Sequence, residues 1–301
     1  MYIAPLQQAL CSDRCQVTNG PEPSDWIVPS LPVGWHLLSF HFFVDWRHTP
    51  PAVADRIWIT RQLRLDFGET LDSIQNADVL EAFRRSVLLQ EFEILERAAV
   101  ACKHKVSVIL LPEIPVPEIS DDTFIWVIYR GIEGLFCCAK HNVLQLKFKI
   151  QQHSGGPVKV GAKGLRFGTS ALECYLSSTD AAFPGDADAV IVDDNDQIRG
   201  IVEYKKHTLD VPINQHLATK YYPYPDGRKY QRLQALTTRC RDSLPNPIPL
   251  IILYYSTKSP VIRLQEISTM DASKMTISRD SGDISVDNNT PATVVGWLGI
   301  L

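Results

Sequence analysis

The spacing of apolar and polar residues predicts both strands and helices in the first half of the chain. Aromatic and β-branched residues partly alternate with polar ones in Trp35–Asp45 and Arg56–Leu65, which predicts two strands. Apolar residues recur at helical spacing through Asp78–Lys103, which predicts a long helix. Residues 1–34 are rich in Pro, Ser and Gly and indicate an irregular arm. Further strands are predicted at Val106–Leu111, Thr123–Tyr129 and Val143–Ile150.

The second half of the chain centres on a predicted hairpin. Two apolar strands, Ala187–Val192 and Ile198–Lys205, flank the polar turn Asp193–Gln197. A short helix, Thr169–Ser177, precedes them, and the loop Asp210–Gly227 follows. The remaining predicted elements are a helix at Arg228–Asp242, a strand buried on both faces at Pro249–Tyr255, strands at Val261–Thr269 and Lys274–Ser278, and a closing helix at Pro291–Leu301.

These elements predict an α/β protein with two regions. The turn-rich segment Gln151–Gly156 indicates a boundary, with an α+β region at 1–154 and a second domain at 155–301. No internal sequence repeat is detectable. The N-terminal region matches no pattern that assigns it a role, so substrate selection, homo-oligomerisation and binding of a protein partner are all open.

Composition restricts the class of protein. The chain has 301 residues and a formal net charge of −4, which disfavours a general nucleic-acid coat protein. A local groove that binds nucleic acid is still compatible with this charge, because residues 155–260 carry slightly more basic than acidic side chains.

The cysteine count and the N-terminus indicate a compartment. Seven cysteines, an odd number, without a recognisable secretory leader predict reduced thiols in a soluble intracellular protein of the cytoplasm or nucleus. The most apolar early stretch, Trp35–Trp46, is too short to span a bilayer, so no membrane partner is expected.

The predicted hairpin brings together the residues with the clearest chemistry. Asp188 lies near the start of the first strand, and Glu203 and Lys205 share one face near the end of the second. Because neighbouring carboxylates repel, a cation is expected between Asp188 and Glu203, and oxygen ligands favour Mg²⁺ or Mn²⁺. Asp186 shares the face of Asp188 and is an alternative ligand. Lys205 would orient a metal-activated water that attacks a phosphodiester.

An Asp, a strand–turn–strand step and then Glu-x-Lys resemble the PD-(D/E)xK nuclease superfamily, over roughly residues 165–257. The resemblance implies a restriction-endonuclease-like mixed sheet flanked by helices, and metal-dependent cleavage of DNA or, less often, RNA. It implies that Asp188, Glu203 and the Tyr204 backbone carbonyl bind the metal and that Lys205 is the catalytic lysine. Glu173, on the preceding helix, would be a further acidic catalytic residue.

The helix after Glu-x-Lys gives only part of a known subfamily pattern. Gln231 or Gln234 matches the glutamine of bacterial recombination nucleases, but Thr238 stands where a tyrosine is expected. The subfamily is therefore undecided. We predict that the phosphate backbone is gripped by residues of this helix and the loop before it, namely Lys220, Arg228, Lys229, Gln231 and Arg232.

Alternatives to a DNA nuclease are open at this stage. One is an RNA nuclease of the same fold. Another is a catalytically silent nuclease-like module that binds or assembles other molecules. The plainest is an ordinary surface hairpin, in which Asp188, Glu203 and Lys205 form a cross-strand ion pair.

Overall fold

A computed structural model describes residues 1–11, 23–160, 165, 167–224, 226–241, 248–271 and 273–298. Within them, the helices are α1 (Pro23–Ile27), α2 (Asn76–Arg84), α3 (Leu88–Ala101), α4 (Val143–His153), α5 (Ala171–Ser177), α6 (Gly227–Arg241) and α7 (Thr290–Trp297). The strands are β1 (Tyr2–Ala4), β2 (Ala9–Leu10), β3 (His36–Asp45), β4 (Ala52–Arg64), β5 (Lys105–Pro112), β6 (Phe124–Arg130), β7 (Phe136–Asn142), β8 (Phe167–Gly168), β9 (Gly185–Val192), β10 (Ile198–His207), β11 (Leu250–Ser256), β12 (Val261–Met270), β13 (Met275–Asp280) and β14 (Ile284–Ser285).

The chain forms two compact units. Unit 1 comprises Met1–Gln16 and Phe40–Gly185, and unit 2 comprises Val17–Ser39 and Asp186–Leu301. The sequence-based boundary at 154/155 falls within unit 1. Each unit contains a mixed sheet flanked by helices, which confirms the predicted α/β class.

Unit 1 is built on the strand order β3-β4-β5-β6-β7, with β1 added beside β4. Among the described strands of this order, β4 and β5 are the one parallel pair, because the chain crosses over between them through α2 and α3. Helices α4 and α5 cover one face, where Leu146 and Leu172 pack in a cluster with Trp58 and Ile109 of the sheet.

Unit 2 repeats this pattern of pairings with the order β9-β10-β11-β12-β13. Strands β10 and β11 are parallel and are connected through α6, whereas the other neighbours are antiparallel. The common topology was not visible as a sequence repeat, because strand order depends on backbone pairing and the two units satisfy it with different residues.

The two faces of the unit 2 sheet differ in character. Ala189, Val202 and Leu253 pack with Val294 of α7 and with Ile27 of α1 in one apolar cluster. Side chains alternate along a strand, so the neighbouring residues of β9 and β10 point to the opposite face, which α6 covers. Strand β11 is buried on both faces, as its continuous apolar run predicts.

One strand prediction is wrong. Val143–Ile150 lies in helix α4, and the observed strand is the preceding β7. The segment VLQLKFKI fits both periodicities, since Val143, Leu146 and Ile150 also follow helical spacing and are the residues buried. The side chain of Asn142 accepts a hydrogen bond from the Gln145 backbone N–H and caps the helix, which favours this alternative.

The described parts of the N-terminal arm, residues 1–11 and 23–34, contain regular elements that the sequence did not predict. They contribute β1 to unit 1 and α1 to unit 2. Cys11 forms a disulfide with Cys174 of α5, so the prediction of reduced thiols is wrong for these two residues. No local pattern predicted this pair, since the separation of 163 residues is closed only by the fold of unit 1. Among the described residues, no helix is long and apolar enough to cross a membrane.

Candidate active site

The hairpin of β9 and β10 forms as predicted. The strands are antiparallel, and the pairing of Val202 with Ala189 sets Glu203 opposite Asp188. In the turn, the Asp193 carboxylate accepts hydrogen bonds from the backbone N–H groups of Asn195 (2.9 Å) and Gln197 (2.8 Å). The polar turn starts the pairing, and a register shift between Ile198 and Gly200 then sets the pairing that brings the two acidic residues together.

Glu203 is the most buried acid of this site. Its side chain is 2% exposed, and Oε1 forms an ion pair with the Lys229 ammonium of α6. The other oxygen, Oε2, has no hydrogen-bond donor among the described residues, and the Asp188 carboxyl beside Glu203 can bond to it only when one of the two acids is protonated. An orphaned carboxylate oxygen in a buried position costs free energy, and it persists where a ligand completes it or function requires it.

Asp188 lies beside Glu203 and shares its face with Asp186. Its Oδ2 accepts a hydrogen bond of 2.7 Å from the Tyr204 backbone N–H. Burial raises the pKa of Asp188 to about 6, the charge of Asp186 adds to the rise, and Lys229 opposes it. The three acidic side chains thus lie close enough to affect one another's ionisation.

The electrostatics of Glu203 and Lys229 are coupled. Burial raises the pKa of Glu203 well above its usual value, and the Lys229 charge offsets only part of that rise. Burial alone would lower the pKa of Lys229, but the carboxylates of Glu203, Asp186 and Asp188 outweigh it and raise this pKa well above normal. The ammonium therefore acts as the counter-ion of the whole acidic group.

Lys205 shares the face of Glu203, as the i, i+2 spacing predicts, but its ammonium turns to a different carboxylate. It donates to Asp226 Oδ2 at 2.9 Å and to the Tyr230 hydroxyl at 3.3 Å, and lies 5.0 Å from the Tyr221 ring centroid. The sequence did not single out Asp226, because it lies in a loop with no periodic pattern. Its position directly before the basic helix α6 was the available signal.

The predicted phosphate-binding residues divide into two groups. Lys229 and Arg232 approach the acidic residues, since the pKa of Arg232 is lowered by burial against an opposing effect of Asp186. Arg228 and Lys220 are exposed, as a contact to a large polyanion requires. None of these residues is shown to bind nucleic acid, so that role stays a prediction.

The residues suggested only by the family pattern have more ordinary surroundings. Gln231 is half-buried on α6, and the Gln234 amide donates to the Thr238 hydroxyl at 3.4 Å. Glu173 lies in unit 1, where its carboxylate accepts hydrogen bonds from the backbone and hydroxyl of Thr169 at the start of α5. Its proposed role in catalysis stays a prediction.

The donor set of unit 2 fits a hard cation. No group of at least three His, Cys, Asp or Glu side chains in the described part of the chain is arranged to hold a metal ion. Mg²⁺ does not require such a group, since one or two carboxylates with waters suffice. Asp188 and Glu203 would supply oxygen ligands, and Glu203 Oε2, which has no donor in the described part of the chain, has a lone pair that a cation could accept.

A cavity of about 300 Å³ lies in unit 1, and none of its described lining residues belongs to the β9–β10 hairpin. Leu111, Ile125, Val143 and Leu172 are among the apolar side chains that line it, and Glu113 is the one charged residue in its described lining. This composition suits a small apolar molecule better than a polyanion. We therefore assign the candidate chemistry to the hairpin.

Comparisons with known proteins do not identify a family. The sequence matches no protein-family model and no curated protein. A crystal structure of the sex pheromone staph-cAM373 precursor aligns over 92% of this chain and 85% of its own, with 10% identity and a TM-score of 0.20. A sex pheromone precursor from Lactobacillus salivarius subsp. salivarius UCC118 aligns over 81% and 68%, with 8% identity and a TM-score of 0.15. Likenesses this weak carry no argument about the activity of this chain.

Proposed function

We propose that this protein is a metal-dependent nuclease that hydrolyses phosphodiester bonds, with DNA as the favoured substrate and the active site on the β9–β10 hairpin. The observation that carries the proposal is the buried Glu203 carboxylate, whose Oε2 lacks a partner in the described residues and lies beside Asp188. This is the site expected from the PD-(D/E)xK resemblance and its restriction-endonuclease-like core.

The residues of unit 2 divide the work of such a site. Asp188 and Glu203 would hold Mg²⁺ or Mn²⁺, with the Tyr204 backbone carbonyl as a third ligand. The bound ion would supply Lewis-acid stabilisation of the phosphate and a water of lowered pKa. Asp226 and Tyr230 hold the Lys205 ammonium in a fixed direction, so that it can orient a water or offset charge on the phosphate.

A nucleic-acid strand would approach over α6 and the loop before it. Lys220 and Arg228 are exposed there, and Arg228 shares a helix face with Arg232. The resulting local positive surface would grip phosphates in spite of the overall net charge of −4. We keep the cytoplasm or nucleus as the proposed location on the ground of the nucleic-acid substrate alone, because the Cys11–Cys174 disulfide removes the reduced thiols as an argument for it.

One observation favours a second candidate, a nuclease-like module that binds without cleaving. The ammonium groups of Lys205 and Lys229 are already paired with the carboxylates of Asp226 and Glu203. Such internal pairing can stabilise a fold without chemistry. Catalysis requires that at least one of the two lysines reach a substrate.

The decisive experiment is degradation of plasmid, linear and single-stranded DNA, and of RNA, with Mg²⁺ or Mn²⁺. We expect cleavage that EDTA abolishes and that Lys205→Ala reduces by at least about 100-fold. Lys206→Ala is the matched control, because Lys206 points to the opposite face of β10. Cleavage of RNA alone would transfer the proposal to an RNA nuclease. Absence of metal-dependent cleavage in the wild type would favour the binding module, and equal cleavage by wild type and Lys205→Ala would overturn the proposed active site.

A further inference from the structure

Lys229 occupies an unusual position for a residue on a basic helix. Its ammonium is paired with the Glu203 carboxylate, and the charges of Asp186 and Asp188 also act on it. The Lys229 side chain is nevertheless 46% exposed, whereas that of Glu203 is 2% exposed. A half-exposed cation thus neutralises a buried acidic group from its solvent side.

A divalent cation and this ammonium need the same partner. The ammonium contacts Glu203 Oε1, and a divalent ion would bind Oε2, which the Lys229 contact leaves without a partner in the described residues. Two positive groups at one carboxylate repel each other. The flexible lysine stem can swing into solvent, so the ammonium is the group that yields.

We infer that binding of a divalent cation displaces the Lys229 ammonium from Glu203 and releases it to contact the phosphates of a nucleic acid. This inference rests on the proposed function, and it names a regulation of the same site. Lys229 holds the acidic group together before metal arrives and becomes part of the substrate surface afterwards. Metal loading and the grip on the polyanion are therefore coupled through one side chain.

Lys205 provides the internal contrast. It has two polar partners, Asp226 and Tyr230, and its side chain is 23% exposed. Its carboxylate partner, Asp226, lies outside the hairpin and is not a proposed metal ligand. Metal binding should therefore leave Lys205 in place while Lys229 moves.

The test measures lysine reactivity in the full chain without substrate. The amines are acylated over a Mg²⁺ titration and quantified residue by residue by mass spectrometry, while calorimetry measures Mg²⁺ binding. We expect the acylation rate at Lys229 to rise at least about 5-fold, because the ammonium loses its carboxylate partner. The midpoint of this rise should fall at the Mg²⁺ concentration that half-saturates the protein in calorimetry. The rates at Lys205 and at exposed Lys258 should stay within about 2-fold. Asp188→Asn, which lacks a proposed metal ligand, should remove the rise.

A second measurement examines the released ammonium. DNA affinity is compared for wild type and Lys229→Gln, in EDTA and with Ca²⁺. We expect a loss of about 5-fold with Ca²⁺ and of less than about 2-fold in EDTA, because Lys229 reaches phosphate only after metal has displaced it.

The possible results separate the inference from the proposed function. If Mg²⁺ binds but the acylation rate at Lys229 does not change, the inferred displacement of Lys229 is wrong. The nuclease proposal is then decided by the DNA cleavage assay alone. An equal loss of DNA affinity in EDTA and Ca²⁺ also overturns the displacement. Absence of measurable Mg²⁺ binding removes both the inference and the proposed metal site.

Discussion

Unit 1 and unit 2 have the same order of strand pairings, but they place opposite charges where the second hairpin strand meets the crossover helix. In unit 1, Arg61 of β4 pairs with Glu91 of α3. In unit 2, Glu203 of β10 pairs with Lys229 of α6. Two residues further along the same strand face, unit 1 has the fully buried Leu63 and unit 2 has Lys205.

The difference shows that the topology does not by itself create a site. The pair in unit 1 is partly exposed on both sides, at 22% and 35%, and serves as an ordinary link between sheet and helix. In unit 2 the acid is buried, has acidic neighbours and keeps an oxygen without a partner in the described chain. Chemistry is thus expected where the residues depart from the stable pattern of the fold.

The largest expected effect concerns cleavage. If the proposed function holds, Glu203→Gln should reduce Mg²⁺-dependent DNA cleavage by at least about 100-fold, because the amide removes the charge of a proposed metal ligand while keeping its shape. Arg61→Gln, at the corresponding contact of unit 1, should leave the rate within about 3-fold. Gel-based rates on linear DNA check both. A similar loss in the two variants would show that the reduction reflects general destabilisation.

The two ion pairs should also differ in their contribution to stability. Lys229→Met leaves the buried Glu203 without its cation and should lower the free energy of unfolding by about 2 kcal/mol in EDTA. The expected cost is below that of a fully buried pair, because Lys229 is half-exposed. Arg61→Met should cost about 1 kcal/mol or less. Urea unfolding measures both changes in free energy. If the two variants lose the same amount of stability, the ion pair of unit 2 does not differ in energy from that of unit 1.

The pH dependence of stability should have opposite signs at two aspartates. Burial raises the pKa of Asp188 to about 6, so the folded chain binds more protons and loses stability as pH rises from about 4 to about 6. The Arg47 hydrogen bond lowers the pKa of Asp45 in unit 1 to about 2, so its contribution is lost as pH falls from about 4 to about 2.

Unfolding in EDTA between pH 2 and pH 7 tests these signs. In the wild type, ionisation of Asp188 should lower the free energy of unfolding by about 1 to 3 kcal/mol as pH rises to neutrality, and Asp188→Asn should remove this decline. Asp45→Asn should instead reduce the loss of stability at acidic pH. If Asp188→Asn leaves the pH profile unchanged, the raised pKa of this residue is wrong.

The smallest expected effect concerns the surface proposed to bind nucleic acid. Lys220→Ala should weaken DNA binding a few-fold at any sequence and lower the slope of log affinity against log salt concentration by about one, because it removes one proposed phosphate contact. The matched control is Lys105→Ala, which removes an exposed lysine of unit 1. Binding titrations at several salt concentrations measure both. If both variants weaken DNA binding equally, the affinity depends on the net charge of the protein rather than on a surface of unit 2.

Local patterns were sufficient for the hairpin. The alternation in β9 and β10, the polar turn at Asp193–Gln197 and the i, i+2 spacing of Glu203 and Lys205 predicted their positions correctly. The same reasoning failed for Val143–Ile150, because a short apolar segment can satisfy two periodicities and the Asn142 cap decided between them.

The sequence by itself determined the α/β class, the hairpin and the acidic face that Asp188 and Glu203 share, because these depend on residues close together in the chain. Only the tertiary structure decided which basic side chain pairs with Glu203, which carboxylate pairs with Lys205, and that Cys11 bonds to Cys174. It also decided that two dissimilar sequences form sheets of the same strand order. These contacts join distant segments through the packing of helices on sheets, and no local pattern encodes which side chains then meet.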